Sequence, residues 1–314
     1  MRGVFSIFQL INRKRKNNQP GKFQQVNGKK MHYLYMGEGE PTIIMDSALG
    51  GTCLDWSWIQ QELAKEAKVF SYDRAGYGWS DSSDSPRTSE TMVEELRELL
   101  YKANIHPPYI LVGHSFGAIN MRLFQHKYPN EVLGLVLVDP TPEEIHTLPL
   151  EYRKKLENEK KMIQLATLLA PTGLLKLLKM PVGNFHLPEN KINIAKEIGY
   201  KTSAYKTASQ ELSSINESVA YLSETRKEVI SVPLYVMTRA TFAKGSLSDK
   251  TIESVQETWS NAHAKIANQS TRGKQIIVKD SGHFIHCEKP KLVKEVILEL
   301  IEETKGVSKE VNHV

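Results

Sequence analysis

The sequence has little cysteine and no apolar run near the N terminus long enough to cross a membrane. Its 314 residues include two cysteines, Cys53 and Cys287. Two cysteines do not make a disulfide framework or a zinc site, and no CxxC or HExxH spacing occurs. We therefore expect a cytoplasmic protein with reduced thiols, no metal and no cofactor. The N-terminal apolar run, residues 4–11, is far shorter than the roughly 20 residues that span a bilayer.

Acidic residues are absent from the first 30 positions, which hold eight Lys and Arg residues. Subtracting these eight charges from the net +5 leaves −3, so the rest of the chain offers no nucleic-acid surface. We interpret residues 1–27 as a basic N-terminal tail. Residues 1–20 either make peripheral contact with an anionic membrane surface, pack on the domain as a helix, or form a partly disordered terminus.

Seven short runs rich in branched and aromatic residues have the pattern of buried strands. They cover residues 30–37, 41–47, 68–73, 109–113, 133–139, 232–237 and 274–280. Helical patterns cover residues 58–67, 89–103, 117–126, 251–267 and 292–304. This alternation predicts an α/β fold, with a mostly parallel central sheet flanked by helices. We expect the first two strands to pair as an antiparallel edge.

One long region interrupts the alternation. Residues 141–230 contain helical patterns and no convincing strand, and they are too numerous for a loop. We predict an inserted helical cap over the carboxyl ends of the strands, between core segments 28–140 and 231–314. The alternative is that this region extends the core. Its apolar run, residues 162–182, either walls an acyl pocket or faces the core.

A serine lies between two glycines where a strand pattern gives way to a helical one. In Gly-His-Ser-Phe-Gly, residues 113–117, so tight a turn leaves no room for Cβ atoms around Ser115. The serine is therefore held in a strained conformation, with its side chain at the tip of the turn. The following helix points free amides at any anion that forms nearby. This pattern predicts a nucleophile.

A serine hydroxyl needs a base to attack near neutral pH. Among ten histidines, His283 follows the last predicted strand, on a loop that opens on the same sheet edge as Ser115. The preceding Gly282 gives that loop freedom to aim the ring. His286 is the alternative base. We expect His114 to point away from the serine and to pack or face solvent.

These motifs resemble the α/β-hydrolase superfamily, and within it a capped, esterase-like branch. The resemblance rests on residues 28–56, 69–81, 107–140 and 282–297. It implies the α/β-hydrolase fold with a cap and a Ser-His-Asp triad. It also implies an oxyanion hole built from the amides of Phe116 and Leu49. In the Leu49 loop this chain has Ser-Ala-Leu-Gly-Gly where many relatives have His-Gly. The stretch DRAGYGWSD, residues 73–81, is expected to be structural and to brace the site.

The acid of the triad has two candidates. Most relatives carry it just past the strand before the last one, but Thr-Arg-Ala-Thr follows that strand here. Asp139 ends the strand after the nucleophile helix, and Asp249 lies in a later loop, where it could instead cap a helix. We favour Asp139, because the later loop needs a detour to reach the histidine. Asp280 is too close in sequence to His283.

The predicted activity is acyl transfer on a small-molecule carboxylic ester, with Ser115 as nucleophile and His283 as base. Serine peptidases, thioesterases, lactonases and carbon–carbon bond hydrolases share this machinery. Halide and epoxide chemistry are disfavoured, because those relatives use Asp at the position of Ser115. The alternative from another class is a non-catalytic protein that binds a small ligand on the same fold.

Overall fold

The computed structural model describes residues 20–225, 229–243, 245 and 247–311. These residues form one central sheet with helices packed on it. Its strands are β1 (Lys22–Val26), β2 (Lys29–Met36), β3 (Thr42–Asp46), β4 (Lys68–Tyr72), β5 (Tyr109–His114), β6 (Val132–Val138), β7 (Leu234–Arg239) and β8 (Gly273–Val278). They lie in the order β1-β2-β4-β3-β5-β6-β7-β8. The pairs from β4 to β8 are parallel, and β2 is antiparallel to both neighbours. The predicted fold class is confirmed.

Helices cover both faces of this sheet. They are α1 (Gln60–Leu63), α2 (Ser89–Lys102), α3 (Gly117–Lys127), α4 (Leu150–Leu169), α5 (Leu174–Leu177), α6 (Glu189–Gly199), α7 (Thr202–Ser213), α8 (Ile215–Thr225), α9 (Asp249–Ala267), α10 (Ile285–Glu288) and α11 (Pro290–Val311). Residues of α2, α3, α8 and α9 form one apolar core with the sheet, and residues of α1 and α11 form another on the opposite face. The central strands are buried on both faces, which explains their uninterrupted apolar sequences.

The sheet begins within the segment assigned to the basic tail. β1 lies inside residues 1–27, so the core starts at Lys22 rather than at residue 28. Its mostly exposed side chains give no apolar alternation to detect. The available signal was the turn: Asn27 and Gly28 have φ values of 49° and 74°, as a two-residue hairpin requires. Residues 1–19, which include most of the proposed membrane-contacting segment, lie outside the described residues.

The predicted pairing of the first two strands is wrong. β4 lies between β2 and β3, and the antiparallel edge is instead the hairpin of β1 and β2. The chain leaves β2 through residues 37–41, passes β4's position and enters the sheet as β3. The connection between β2 and β3 is short, but strands that are close in sequence are not always neighbours in the sheet.

The inserted helices divide into a cap and a core helix. α4 to α7 follow β6, and α8 packs on α2 and α3, with Leu222 fully buried in the core. The backbone N–H of Ser89 donates to Ser218 Oγ, at 2.9 Å, which fixes α8 to the start of α2. The inserted cap thus ends near Ser214, earlier than residue 230.

The apolar run of the cap, residues 162–182, does not behave as either interpretation predicts. Leu168 and Leu177 are 75% and 79% exposed, so they neither face the core nor wall a pocket. Ala170 and Leu175 are the buried members of this run, and they pack with Tyr205 inside the cap. Among the described residues, every helix is too short or too polar to cross a lipid bilayer.

Candidate active site

Ser115 occupies a sharp turn between β5 and α3. Its φ is 52°, a left-handed conformation that costs energy for a residue with a side chain. A Cβ on Gly113 would lie 2.6 Å from the Cα of Ala118, and one on Gly117 would lie 2.5 Å from the Asp46 carbonyl oxygen. Both glycines are therefore required for the turn to form. The Ser115 N–H donates to the Val138 carbonyl, which ties the turn to β6.

His283 and Asp139 meet at the same end of the sheet. His283 Nδ1 donates to Asp139 Oδ2, at 2.5 Å. Asp139 follows β6 directly and is fully buried, whereas the His283 side chain is 28% exposed. Of the two candidate acids, the structure therefore pairs the histidine with Asp139. Among the described residues, His283 Nε2 has no hydrogen-bond partner, so it is available to accept a proton.

Two further groups hold the Asp139 carboxylate. The N–H of Arg239 and Nε1–H of Trp259 each donate to its Oδ1, both at 3.2 Å. Burial raises the pKa of Asp139, but the charges of Arg239 and His283 outweigh burial and leave that pKa below its usual value. The carboxylate is thus ionised at neutral pH. Arg239 belongs to the Thr-Arg-Ala-Thr stretch at the end of β7.

The alternative site residues lie apart from this arrangement. Asp249 is exposed at the start of α9, and the helix is capped by the Ser248 hydroxyl, so the expected capping role falls to its neighbour. His286 is fully buried against the Trp56 ring, and burial lowers the pKa of His286 to about 3. A histidine that cannot reach the cavity or hold a proton at neutral pH does not serve as the base.

His114 has a larger role than the sequence suggested. It is fully buried, and its Nε2–H donates to the His283 backbone carbonyl, at 2.9 Å. Its ring lies 4.7 Å from the His283 ring, centroid to centroid. Burial lowers the pKa of His114 well below its usual value, so the ring is neutral. His114 packs, as one interpretation had it, but it packs against the loop that carries His283.

The Ser115 hydroxyl points at Thr141 in this structure. The two hydroxyl oxygens are 3.5 Å apart, and among the described residues Ser115 makes no hydrogen bond to His283. The Thr141 N–H also donates to the Ser115 carbonyl, at 3.1 Å. Thr141 follows β6 by three residues, and this contact could not be found from sequence spacing. Serine sites without substrate often have loose hydrogen bonds, which tighten when substrate is bound.

The loop after β3 brings Leu49 beside the serine. The Gly51 N–H donates to the Ala48 carbonyl, at 2.9 Å, and Gly50 has a φ of 76°, so the chain turns tightly at Leu49 and Gly50. Leu49 and Ser115 line the same cavity. Among the described residues, the backbone N–H groups of Leu49 and Phe116 donate to no protein acceptor. Both amides are therefore available to an anion.

Arg74, from the DRAGYGWSD stretch, holds this loop in place. Its guanidinium donates to the carbonyls of Ser47 and Ala48, at 2.7 and 2.9 Å, and to Asp46 Oδ1 at 2.6 Å. From the cap, Glu211 accepts from Arg74 Nε, at 2.8 Å. All these side chains are buried. The arrangement shows how that stretch braces the loop and fastens the cap to it.

A second cluster of potential metal ligands lies near the first strands of the sheet. His32, Cys53 and Asp73 place potential ligand atoms within 4.8 Å of one another. These groups already satisfy each other: His32 Nδ1 bonds to Asp73 Oδ2 at 2.8 Å, and its Nε2 bonds to the Pro20 carbonyl. The backbone N–H of Cys53 donates to Asp73 Oδ1 at 2.8 Å. We interpret this cluster as a structural lock between the first strands.

A cavity of about 190 Å³ lies beside Ser115 and His283. The loop after β3 forms part of its wall, and Gly183 and Asn184 of the cap form another part. Two polar side chains besides the serine and histidine line it, Asp55 and Asn184. Neither residue is predicted from the sequence, since no motif marks them.

Comparisons with known proteins place this geometry in context. The sequence model of a family described as the alpha/beta hydrolase fold matches residues 41–290. The Bacillus subtilis protein YqjL is 25% identical over 267 residues, which cover 82% of each chain. A thermophilic esterase from Thermogutta terrifontis has a TM-score of 0.64 at 17% identity, covering 90% of this chain and 99% of its own. The epoxide hydrolase CorEH has a TM-score of 0.68 at 19% identity, covering 90% and 98%. At these identities the two structures show the fold alone.

Proposed function

The chain belongs to the alpha/beta hydrolase fold family, and on that premise we propose that this hydrolase cleaves a small-molecule carboxylic ester through an acyl-enzyme on Ser115. The hydrogen bond between His283 and Asp139 carries the proposal, because it orients a histidine that lines the same cavity as the serine. The strained turn at Ser115 and the unused amides of Leu49 and Phe116 add support.

In the proposed first half-reaction, Ser115 Oγ bonds to the ester carbonyl carbon while His283 Nε2 accepts the hydroxyl proton. Asp139 accepts the Nδ1–H, which fixes the tautomer and stabilises the imidazolium. The charge on the carbonyl oxygen is met by the two free amides. Ser115 first rotates about its Cα–Cβ bond, away from Thr141, whose contact at 3.5 Å is weak.

The imidazolium then gives its proton to the leaving alkoxide as the carbon–oxygen bond breaks, and the acyl group stays on Ser115. A water molecule repeats the sequence. Its oxygen bonds to the acyl carbon while His283 Nε2 takes its proton, and that proton returns to Ser115 Oγ as the carboxylic acid leaves. The enzyme is restored without a cofactor.

Hydrolysis of p-nitrophenyl esters from acetate to palmitate tests this function. Ser115→Ala is expected to remove turnover, with a loss on the order of 10⁶-fold in kcat. Ser82→Ala, at an exposed serine before α2, is the matched control and is expected to keep full activity. Short esters are expected to be best, because about 190 Å³ is smaller than the roughly 300–1,000 Å³ of pockets for drug-sized ligands.

Two outcomes contradict the proposal. Equal turnover by the wild type and Ser115→Ala shows that the serine is not the nucleophile. No turnover of any ester, together with no reaction of Ser115 with a fluorophosphonate, favours the non-catalytic ligand-binding alternative.

A further inference from the structure

Asp55 is a buried acid with an unused oxygen next to the proposed nucleophile. It lies in the short 3₁₀ helix Cys53–Trp56, directly after the loop that carries Leu49. The residue is 2% exposed, and its Oδ2 has no hydrogen-bond partner within the part of the chain that the structure describes. Asp55 lines the cavity beside Ser115 and also a smaller cavity next to it. A buried polar atom without a partner, at the wall of a cavity, points to a ligand group that completes it.

Gly51 leaves room for the carboxyl group of Asp55. A Cβ on Gly51 would lie 2.4 Å from Asp55 Oδ2, so only glycine leaves the carboxyl its space. Burial raises the pKa of Asp55 to about 8. At neutral pH the group is therefore mostly a neutral carboxylic acid, which both donates and accepts a hydrogen bond. Such a group suits a neutral hydroxyl better than it suits a hydrocarbon chain.

Asn184 supplies a second, fixed polar group in the same cavity. Its Nδ2 lies 3.4 Å from Cys287 Sγ, and its Oδ1 accepts from the His186 N–H at 2.8 Å. These bonds hold the amide plane in one orientation while it lines the cavity. The amide has a further donor hydrogen and acceptor lone pair beyond these two contacts.

We propose that Asp55 and Asn184 bind a hydroxyl group on the acyl chain of a short ester, so that the substrates are hydroxy-acid esters. The inference rests on the proposed function, since it places the acyl group in the cavity beside Ser115. The cavity volume of about 190 Å³ is equivalent to about six water molecules at roughly 30 Å³ each. An acyl chain of a few carbons with one hydroxyl fits that space.

Paired substrates test the proposal: p-nitrophenyl butyrate and its 2-hydroxy and 3-hydroxy analogues, assayed with the wild type, Asp55→Leu and the exposed control Asp84→Asn. The measured quantity is the ratio of kcat/KM for the better hydroxy ester to that for butyrate. Because both rates come from one sample, any misfolded fraction cancels. We expect a ratio of at least about 10 for the wild type and the control, falling to about 1 in Asp55→Leu.

The outcomes separate this inference from the proposed function. Serine-dependent hydrolysis with a wild-type ratio near 1, or a ratio unchanged in Asp55→Leu, overturns the hydroxyl site and leaves the esterase intact. If no ester is hydrolysed, the proposed function fails, and calorimetric titration with butyramide and its two hydroxy analogues still decides the hydroxyl site. Equal binding of the amides, or none, overturns it.

A second and independent observation concerns the outer surface of the cap, residues 162–180, which we term the cap face. Its most exposed apolar side chains are Met162, Leu165, Leu168, Leu177 and Leu178, each more than half exposed. Folded monomers rarely expose so many large apolar residues in one segment unless the surface binds something.

The charge around the cap face favours an anionic partner. Residues 160–188 contain four lysines and no acidic residue. Lys161 and Lys179 are exposed, and Lys176 pairs with Glu197 of α6 at 2.9 Å. The first 30 residues add eight further basic residues without an acid. Apolar side chains flanked by lysines are typical of segments that lie in a membrane interface. We infer that the cap face docks on an anionic lipid surface.

Co-sedimentation of the full chain with vesicles tests this inference, using phosphatidylcholine with or without phosphatidylserine. We expect the wild type to pellet with the anionic vesicles and the double variant Leu168→Ser, Leu177→Ser to partition at least about tenfold less. Tyr101→Ser, which removes an equally exposed side chain from α2, is the control and should pellet like the wild type.

Three results would overturn the inference that the cap face docks on an anionic lipid surface. The double variant pelleting like the wild type would assign membrane contact to residues 1–20 alone. A wild type that does not pellet would exclude lipid as the occupant. A wild-type dimer in gel filtration that the double variant abolishes would make a second copy of the chain the occupant.

Discussion

Two histidine–aspartate pairs lie in the described part of this molecule, each built on an acid that directly follows a strand of the sheet. In both, histidine Nδ1 meets aspartate Oδ2, at 2.8 Å for His32 and Asp73 and at 2.5 Å for His283 and Asp139. Both acids are fully buried and accept further hydrogen bonds from nearby N–H groups. The pairs differ at the other ring nitrogen. His32 Nε2 bonds to the Pro20 carbonyl, whereas His283 Nε2 has no partner among the described residues and its ring lines the cavity.

The difference shows that a histidine–aspartate pair does not by itself make a base. His32 is fully enclosed, and although burial opposes its charged form, Asp73 outweighs burial and raises the pKa of His32. A charged histidine with both nitrogens engaged is a structural lock. His283, 28% exposed beside Ser115, has a nitrogen left for a proton. The surroundings of Nε2 decide which role each pair takes.

Among the tests of this comparison, the largest effect is expected from neutralising Asp139, the acid of the pair whose histidine lines the cavity. Asp139→Asn should lower kcat for the best p-nitrophenyl ester by about 10⁴-fold, because the histidine loses its preferred tautomer and the charge that stabilises its cation. Circular dichroism should show a folded chain. A near-normal kcat in this variant would assign the acid elsewhere.

The pair of His32 and Asp73 should affect the stability of the fold rather than catalysis. His32→Leu leaves the Asp73 carboxylate buried without its cationic partner, so the free energy of unfolding should fall by about 3–5 kcal/mol. Urea denaturation measures that loss. We expect kcat per active site, counted by fluorophosphonate titration, to stay within a few-fold of the wild type. A drop of several orders of magnitude would show that the two pairs do not have separate roles.

Two other histidines, His263 and His286, are buried with lowered pKa values, and they predict that the folded state loses stability in acid. Burial lowers the pKa of His263 to about 4 and that of His286 to about 3. In the unfolded chain these rings take up protons near pH 6.5, so the stability present above that pH is lost as the pH falls towards the folded values. Each ring costs about 2 kcal/mol at pH 5 relative to pH 7.

His286→Leu tests this pH dependence, because neither nitrogen of His286 has a partner among the described residues and leucine keeps an apolar contact with Trp56. The loss of unfolding free energy between pH 7 and pH 5 should be about 2 kcal/mol smaller in the variant than in the wild type. His32, whose pKa is raised, has the opposite pH dependence, but it is present in both proteins and cancels. Identical losses in the two proteins would mean that His286 is protonated in the folded state.

The smallest effect is expected at the alternative acid. Asp249 is exposed in the first turn of α9, far along the chain from the loop of His283. Asp249→Asn should leave kcat within twofold of the wild type, and its helix should lose only a few tenths of a kcal/mol from a weaker interaction with the helix dipole. A loss comparable to that of Asp139→Asn would reverse the choice of acid.

Most of the core could be predicted from the sequence, because its strands are buried on both faces and appear as uninterrupted apolar runs. The seven predicted strands correspond to β2–β8. β1 was missed because its side chains alternate little in polarity. The core position of α8 was missed because an amphipathic helix has the same pattern whether it packs on a cap or on a sheet. Strand neighbours depend on topology, which is why β2 and β3 were wrongly paired.

The residues of the candidate site likewise divide into those that a local sequence pattern marks and those that it does not. The sequence points to Ser115, His283 and Asp139 as candidates because each follows a strand pattern at the sheet edge where ligands bind. Contacts between segments distant in the chain involve Arg239, Trp259 and Thr141. No local sequence pattern predicts these contacts. Asp55 was missed because burial with an unused oxygen is a property of the folded structure alone.

Reaction with a fluorophosphonate, followed by intact mass measurement and peptide mapping, tests most directly whether the His283–Asp139 pair activates Ser115. We expect one adduct per chain, on Ser115. The adduct should form at a much lower rate in Asp139→Asn, and at an unchanged rate in His32→Leu protein that remains folded. Absence of an adduct on Ser115, or equal rates in the wild type and Asp139→Asn, would contradict it.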